Sequence, residues 1–405
     1  MKPPARYLCG SVLPTVVVVS VVILTALLGL LSLWEQESLL AARAARLQQA
    51  RADVESAYAL YALHPDDPAL TELDGYLLYD SLPQSRVFLR AEPWGLYEAV
   101  HCTTTDSLVA ACRIFGVRPE AAQTLYYADN RVALTLAGRT ELRGRLRLPQ
   151  NGVAYGRVGS DYFSGAPVAQ SAVGRSDTLL PQIRPQARRR AAEAFAAAEE
   201  PASPVRQGDS LRQLFRRDTT LLLAAEKELY ACTLRGRIRL TAEELRIDST
   251  CRMEHPLVVA RKIIVGAGAR ITAQLFARDT VVVERGAALE YPSGIYTGRY
   301  AEISEGAEVN GYVVVRDTSR HDRMEASYRQ APTARVRGLV YIDGVAQVQG
   351  IVAGRAVLRR AAFFSPQGYY KDTFYDATLL ENPVTAHPFL IESDTVRRKE
   401  AACVD

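Results

Sequence analysis

A short pattern that recurs through the second half of the chain constrains its fold more than any other feature. The pattern reads apolar-x-apolar, three residues, small, x, apolar, and copies begin at Leu245, Ile263 and Val281, with 18 residues between successive starts. Further copies begin at Ala301 and Val340. Because side chains alternate between the two faces of a strand, the apolar positions of every copy would face one interior.

One such coil cannot bury its own apolar stripe, so successive coils must stack and pair their strands about 4.8 Å apart. We therefore predict a mainly β protein built on a parallel β-solenoid of about 18 residues per coil. The alternative is a sandwich of antiparallel hairpins, which would need turn pairs such as Asn310-Gly311 between matched strands. The predicted interior positions are Ile247, Cys251, Met253, Val265, Ala269, Ile271, Val283, Ala287, Leu289, Ile303, Ala307, Val309, Ile342, Ala346 and Val348.

The N-terminus carries an uncharged run from Val12 to Trp34. As a helix this run would rise about 34 Å, enough for a hydrocarbon core of about 30 Å, so we predict an uncleaved transmembrane anchor. The alternative is a cleaved signal peptide, whose apolar region is typically shorter. Lys2 and Arg6 before the run favour a cytoplasmic N-terminus and a body outside the cytoplasm, whereas Arg43 and other basic residues beyond it argue for the reverse.

The rest of the chain is divided by composition and by fainter copies of the pattern, one of which spans Leu134 to Leu142. A short helix is expected at Thr105–Phe115 and another from Ala191. The predicted order is a cytoplasmic tip and transmembrane helix (1–34), a helical stem (35–64), a small α+β region (65–131), a first solenoid coil (132–148), an insertion with a flexible linker and a short helix (149–224), the main solenoid (225–390) with a loop insertion (316–335), and a charged tail (391–405).

Two cysteines, Cys232 and Cys251, occupy the small interior position of neighbouring coils. Stacked Cα atoms about 4.8 Å apart lie within disulfide range, so a disulfide between them is one interpretation. The other is that each is a small apolar filler of the core.

The net charge of +4 is too mild to indicate a nucleic-acid-binding protein. Two strand-like segments nevertheless carry alternating arginines that would face outwards together and could meet an anionic glycan or lipid, unless they form an ordinary solvated face. These arginines are Arg143, Arg145, Arg147, Arg235, Arg237 and Arg239.

No residue pattern indicates catalysis, a cofactor or a metal. The histidines lack metal-ligand spacing and are expected to pack or face solvent; they are His64, His101, His255, His321 and His387. A carbohydrate-active β-helix enzyme would need carboxylates grouped on one outer face, for which Asp248, Glu284, Glu302 and Glu305 are the candidates. These are better explained as solvated corners, so we predict a non-enzymatic protein with no cofactor.

The coil motifs resemble those of the bactofilins, polymer-forming β-solenoid proteins. The likeness covers residues 234–365 and is clearest at Arg270–Leu275, Ala307–Gly311 and Ala346–Gly350. It implies a helix whose flat ends stack into filaments without a nucleotide, although the membrane span and the insertions depart from that family. The entry Gly10-Ser11-Val12-Leu13 resembles a pilin or pseudopilin, with Thr15 where those proteins typically carry Glu.

Together these features predict a single-pass protein of a bacterial inner membrane with a periplasmic body. Its expected partners are the lipid bilayer and either further copies of itself or another envelope protein, and its expected role is a structural scaffold. The alternatives are an accessory, pilin-like component of a type IV pilus or secretion system, and a carbohydrate-active β-helix enzyme.

Overall fold

A computed structural model describes residues 12–72, 74–79, 85–118, 123–196, 200–317, 325–366, 368–382, 385–392 and 397–404. The α-helices in this part are α1 (Val12–Leu63) and α2 (Pro185–Ala196), and short 3-10 turns lie at Pro68–Thr71 and Gln170–Ala172. Helix α1 is long and apolar enough to cross a membrane. The Gly10-Ser11 motif, Lys2, Arg6 and His321 lie outside the described residues.

The described strands fall into four groups along the chain. The first four are β1 (Tyr76–Leu77), β2 (Arg86–Trp94), β3 (Tyr97–Thr104) and β4 (Ala110–Val117). The next are β5 (Gln123–Tyr127), β6 (Leu134–Ala137), β7 (Glu141–Leu142), β8 (Arg145–Leu148), β9 (Val153–Tyr155), β10 (Arg157–Val158), β11 (Asp161–Tyr162) and β12 (Val173–Arg175). After α2 come β13 (Ser203–Val205), β14 (Ser210–Gln213), β15 (Thr220–Ala224), β16 (Glu228–Leu229), β17 (Thr233–Gly236), β18 (Ile238–Thr241), β19 (Glu244–Ile247), β20 (Arg252–Val265), β21 (Arg270–Val283) and β22 (Ala288–Thr297). The last are β23 (Tyr300–Ile303), β24 (Glu308–Val315), β25 (Tyr328–Gln330), β26 (Arg335–Gln347), β27 (Gly350–Ser365), β28 (Gly368–Lys371), β29 (Thr373–Tyr375), β30 (Ala377–Leu380) and β31 (Arg398–Cys403).

The body is a parallel β-solenoid with three faces and a coil of about 19 residues. On the second face Val265 pairs with Val283, and Val283 with Ile303, so the repeated apolar positions form one column. On the third face Leu289 pairs with Val309. The fold prediction is therefore confirmed: each coil buries its apolar side chains against the coil before it.

The order of coils in space differs from their order along the chain. On the first face the strands follow the order β13, β15, β18, β20, β21, β22, β24, β26, β27, β5, β8 and β12. Ala356 of β27 thus pairs with Leu125 of β5, and Leu125 with Leu146 of β8. Residues 123–175 continue the stack beyond its C-terminal coils, so the prediction that 132–148 form the first coil is wrong in position.

The segment that follows β12 returns along the outside of the solenoid to its other end. The hydroxyl of Tyr126 donates to the carbonyl of Leu179, that of Tyr341 to Pro181, and Arg278 donates to the carbonyl of Phe195 in α2. The small residues of α2 belong to the buried cluster on this outer face. The chain then re-enters the stack at β13, and the predicted insertion at 149–224 therefore includes solenoid strands at both of its ends.

A five-stranded sheet of order β1-β2-β3-β4-β31 lies between helix α1 and the solenoid. Its strands pair in antiparallel fashion, and β31 forms its last edge. One face packs against Val54, Ala57 and Tyr58 of α1, and the other packs against outward side chains of the solenoid. The C-terminal part of α1 and the C-terminal strand β31 are therefore anchored on one sheet.

Two sequence predictions fail at this sheet. Thr105–Phe115 was expected to be helical but contributes to the strand β4, because alternate side chains such as Cys112 and Ile114 face the solenoid. The expected charged tail 391–405 contains β31, where Glu400 bonds to Arg113 at 2.8 Å. Cross-strand pairing overrides the local composition in both places.

The expected surface loop at 316–335 is only partly correct. It contains β25, whose residues Tyr328 and Gln330 are fully buried and continue the second face between β23 and β26. Residues 318–324 of this segment lie outside the described part of the chain.

The sheet fixes how the solenoid is oriented with respect to α1. Arg46 of α1 bonds to Asp106 just beyond β3, and Tyr61, further along the helix, bonds to Glu98. Glu92, near the end of β2, contacts Arg237 of the solenoid. Leu96, in the turn that follows β2, contacts Gln274, which lies two coils beyond Arg237 in the stack. The coils that begin at β13 therefore lie towards the side from which the apolar half of α1 projects.

A column of glycines at one corner allows the coils to approach closely. Gly311, Gly338 and Gly354 are paired in successive strands and have φ values of +143°, +133° and +144°. A Cβ atom on Gly338 would overlap the carbonyl oxygen of Gly311. Only glycine fits such a position without displacing backbone.

Candidate functional site: an arginine-lined cleft

A cleft of about 730 Å³ opens between the sheet and the solenoid coil that begins at β13. Near the β2–β3 turn the sheet packs directly on the solenoid, where Trp94 meets Phe215 with ring centroids 5.3 Å apart. Further from the turn the two separate. The lining residues are Thr71, Glu72, Phe88, Leu89, Arg90, Ala91, Glu92, His101, Thr103, Arg216, Arg217, Asp218 and Arg237.

Strand alternation places the polar side chains of the sheet in this cleft. Arg90 lies opposite His101, and Phe88 opposite Thr103, in the β2–β3 register. The neighbouring Leu89 points to the opposite face and packs in the cluster around α1. One row of β2 side chains therefore faces the cleft, and the alternate row packs against α1.

The inner end of the cleft is closed by an ion cluster centred on Glu92. Its carboxylate accepts from Arg90 at 2.7 Å and from Arg237 at 2.6 Å. Arg237 also donates to the Thr219 hydroxyl at 3.1 Å and to the Phe215 carbonyl at 3.0 Å. All three guanidinium nitrogens of Arg237 are thus used, and this side chain holds the coil against the sheet.

The solenoid side of the cleft carries two arginines of a different kind. Arg216 and Arg217 are exposed and lie in a turn closed by the Arg217 amide, which donates to the Leu214 carbonyl at 3.1 Å. Neither guanidinium group makes an ion pair or hydrogen bond with another described residue. Their guanidinium groups are free to bind an anion that enters the cleft.

The remaining lining supplies apolar contact and hydrogen bonds. Phe88 is 37% exposed, so part of this residue can contact a ligand. The His101 ring lies beside Cys112, with 3.9 Å between Nε2 and Sγ. The cleft is therefore suited to bind an anionic ligand that also has an apolar part to pack against Phe88.

The predicted interior residues all belong to one buried cluster that fills the solenoid. Cys232 and Cys251 lie in adjacent coils and are free thiols in the structure. Cys232 donates to the Arg206 carbonyl and Cys251 to the Leu229 carbonyl, each at 3.2 Å. Burial raises the pKa of Cys251, which keeps this thiol protonated.

The predicted basic stripe is not formed as one surface. Arg143, Arg145 and Arg147 lie near the end of the stack formed by β12, whereas Arg235, Arg237 and Arg239 lie near the end formed by β13. Arg143 pairs with Glu141 at 2.5 Å and Arg235 with Glu254 at 3.2 Å. The prediction of one basic stripe was wrong because the two arginine-rich segments, although similar in sequence, lie in coils at opposite ends of the stack.

The candidate carboxylates of an enzyme are tied to local structure. Asp248 accepts from the amide and hydroxyl of Thr250, and these bonds lower its pKa. Arg246 binds Glu284 through two bonds and lowers the pKa of that carboxyl. Glu302 accepts from the Tyr300 hydroxyl at 2.7 Å. A general acid needs a raised pKa, which neither Asp248 nor Glu284 has.

The histidines divide by environment. Burial lowers the pKa of His255 to about 4. Burial, with contributions from Arg355 and Lys399, lowers that of His387 to about 3. Both ring nitrogens of His387 lack a hydrogen-bond partner among the described residues. Within that part of the chain, no group of three or more His, Cys, Asp or Glu side chains could hold a metal ion.

Sequence reasoning missed the cleft as a whole. The adjacent pair Arg216-Arg217 was a visible signal, but Phe88 and Arg90 lie more than a hundred residues before it. Only the docking of the sheet on the solenoid brings these residues together. Comparison with protein-family models, curated proteins and solved structures gives no match for this chain.

Proposed function

We propose that this protein is a single-pass, membrane-anchored scaffold of a bacterial envelope, with a non-catalytic β-solenoid body outside the cytoplasm. The observation that carries the proposal is the continuity of α1. Its residues from Val12 to Ala45 are exposed, and from Arg46 onwards it becomes partly buried against the sheet. An anchor that is continuous with the packed body holds that body at a fixed height above the bilayer.

The contacts of the sheet make this anchorage rigid. Tyr58 donates to the Ala111 carbonyl at 2.8 Å, and Arg113 lies over the Tyr58 ring at 4.5 Å. Arg113 also binds Glu55 of α1 and Glu400 of β31. A force on the solenoid would therefore pass to α1 through several side-chain contacts rather than through a flexible linker.

The same geometry argues against the end-to-end filaments that a bactofilin-like helix implies. The coils that begin at β13 lie towards the projecting half of α1, so a copy stacked on the far end would carry its own helix away from the same bilayer. The end strands β12 and β13 are also only three residues long, and short edges discourage strand pairing. We expect lateral self-association or a different envelope partner.

A second candidate is an accessory component of a type IV pilus or secretion system. One observation favours it: the apolar half of α1 projects free while its C-terminal half crosses an antiparallel sheet. Such a helix could be buried among helices of other subunits as well as in lipid. The third reading, a carbohydrate-active enzyme, has no comparable support.

Mass spectrometry of the mature protein from native membranes, together with a reporter fused after Asp405, tests the proposal. An N-terminus that retains residues 1–11, membrane retention after a carbonate wash and a reporter active outside the cytoplasm are the expected results. A mature chain that begins at Ser11 would favour the pilus component instead. A chain that begins after Glu35, or a reporter active in the cytoplasm, would contradict the proposal.

A further inference from the structure

We propose that the arginine-lined cleft binds an acidic sugar, meaning a saccharide that carries a phosphate or carboxylate group. This binding activity goes beyond the scaffold role and does not depend on membrane insertion. It follows from the combination of free guanidinium groups, an exposed aromatic face and neutral hydrogen-bonding groups in one cleft of about 730 Å³. That volume is in the range of small-molecule sites.

The lining of the cleft has a net formal charge of +1. Four arginines face three carboxylates in the lining. The Glu92 carboxylate is already held by two of those arginines, so it does not compete for Arg216 or Arg217. Guanidinium groups bind carboxylate and phosphate through paired hydrogen bonds, which gives this pair of arginines its specificity for anions.

The rest of the lining suits a saccharide better than a simple ion. The exposed part of Phe88 offers apolar contact to a sugar ring. Thr71, Thr103 and His101 add donors and acceptors for hydroxyl groups. An inorganic anion would use the arginines and leave these groups unused.

The height of the sheet side of the cleft argues against the phosphate groups of the bilayer as its ligand. Twelve residues of helix separate Trp34 from Arg46, about 18 Å at 1.5 Å per residue. The headgroup layer accounts for about 5–7 Å of this distance. His101 lies three residues before Thr104, the end of β3, which adds about 10 Å at about 3.3 Å per residue. With α1 upright in a bilayer, Arg90 and His101 would stand about 20 Å above the headgroups.

Isothermal titration of the detergent-solubilised full chain tests this proposal, with glucose 6-phosphate, glucuronate, glucose and inorganic phosphate as probes. We expect the two acidic sugars to bind at least tenfold more tightly than glucose and at least fivefold more tightly than phosphate. Their affinity should fall as sodium chloride rises from 50 to 300 mM. A trigalacturonate that binds more tightly than glucuronate would assign a polymeric ligand, and equal affinities a monosaccharide.

Matched variants locate the binding. The double variant Arg216→Ala/Arg217→Ala should lose at least tenfold in affinity for glucose 6-phosphate, while Arg212→Ala, an exposed arginine of the same coil outside the cleft, should change it less than twofold. Phe88→Ala should weaken the sugars and leave phosphate unchanged. Equal affinities for phosphate and glucose 6-phosphate, no effect of the double variant, or no binding at millimolar concentrations would each overturn the proposal.

Discussion

Replacing Tyr127 with phenylalanine should loosen the junction at which the N-terminal coils stack on the C-terminal ones. The fully buried Tyr127 hydroxyl donates to Asp372 at 2.6 Å and accepts from the Ala361 amide at 3.0 Å. Burial and the neighbouring carboxylate raise the pKa of this hydroxyl well above its usual value, so it remains a donor throughout the accessible pH range. One atom therefore links three segments of the chain.

The expected cost follows from what the variant leaves behind. A hydrogen bond to a charged group contributes about 1.5–3 kcal/mol, and a buried donor left without an acceptor costs about 1–3 kcal/mol. Because relaxation recovers part of this, we expect Tyr127→Phe to lose about 2–4 kcal/mol, or roughly a 30- to 900-fold rise in the opening equilibrium.

Hydrogen exchange of the full chain in detergent measures this opening locally. Protection should fall in residues 123–127 and 356–361 and remain unchanged in β14 at the other end of the stack. The control is Tyr162→Phe, whose hydroxyl belongs to a side chain 66% exposed and which should change stability by less than about 0.5 kcal/mol. Equal effects of the two variants would refute the role assigned to Tyr127.

Three further outcomes are expected. Gly338→Ala should destabilise the solenoid by at least about 2 kcal/mol in denaturant unfolding. The control Gly268→Ala is also at positive φ but has nothing within 4 Å of the added Cβ, and it should cost about 1–2 kcal/mol. Equal costs of the two variants would contradict the close-stacked corner. His387 is buried with a lowered pKa, so its contribution to stability is present above pH 6.5 and is lost as the pH falls towards about 3, by up to about 1.4 kcal/mol per pH unit. His387→Leu should flatten this dependence in thermal unfolding from pH 7 to 4, and an unchanged slope would refute the assignment. In the native protein a thiol reagent should label exposed Cys403 and spare buried Cys251 until denaturant is added, and rapid native labelling of Cys251 would contradict its burial.

The stacking of repeated apolar positions could be predicted from the sequence because periodicity and burial are coupled. Val265 and Val283 align in the sequence, and each coil can bury its stripe only against a neighbour. The apolar character of α1 was equally accessible, since the uncharged run is long enough to cross a membrane and can be read directly from the sequence.

The order of the coils and the cleft could not be predicted in the same way. Ala356 pairs with Leu125, which is more than 230 residues away in the sequence. Nothing in the sequence distinguishes β5 from the other apolar strands that could have paired with β27 at this point. Strand β4 contains alternating residues that single-sequence patterns do not separate from a helix when the partner strand is unknown. The cleft depends on both of these long-range placements.

The central claim is that residues 123–175 continue the solenoid beyond its C-terminal coils. The most direct test is disulfide trapping of Glu141→Cys with Thr378→Cys, which are directly paired on β7 and β30, about 4.8 Å apart in neighbouring strands and within disulfide range. We predict that this pair cross-links on mild oxidation and that Glu141→Cys with Ser210→Cys, the matching register position on β14 at the opposite end of the stack, does not. A cross-link in the second pair and none in the first would show that the coils stack in chain order and would contradict this structure.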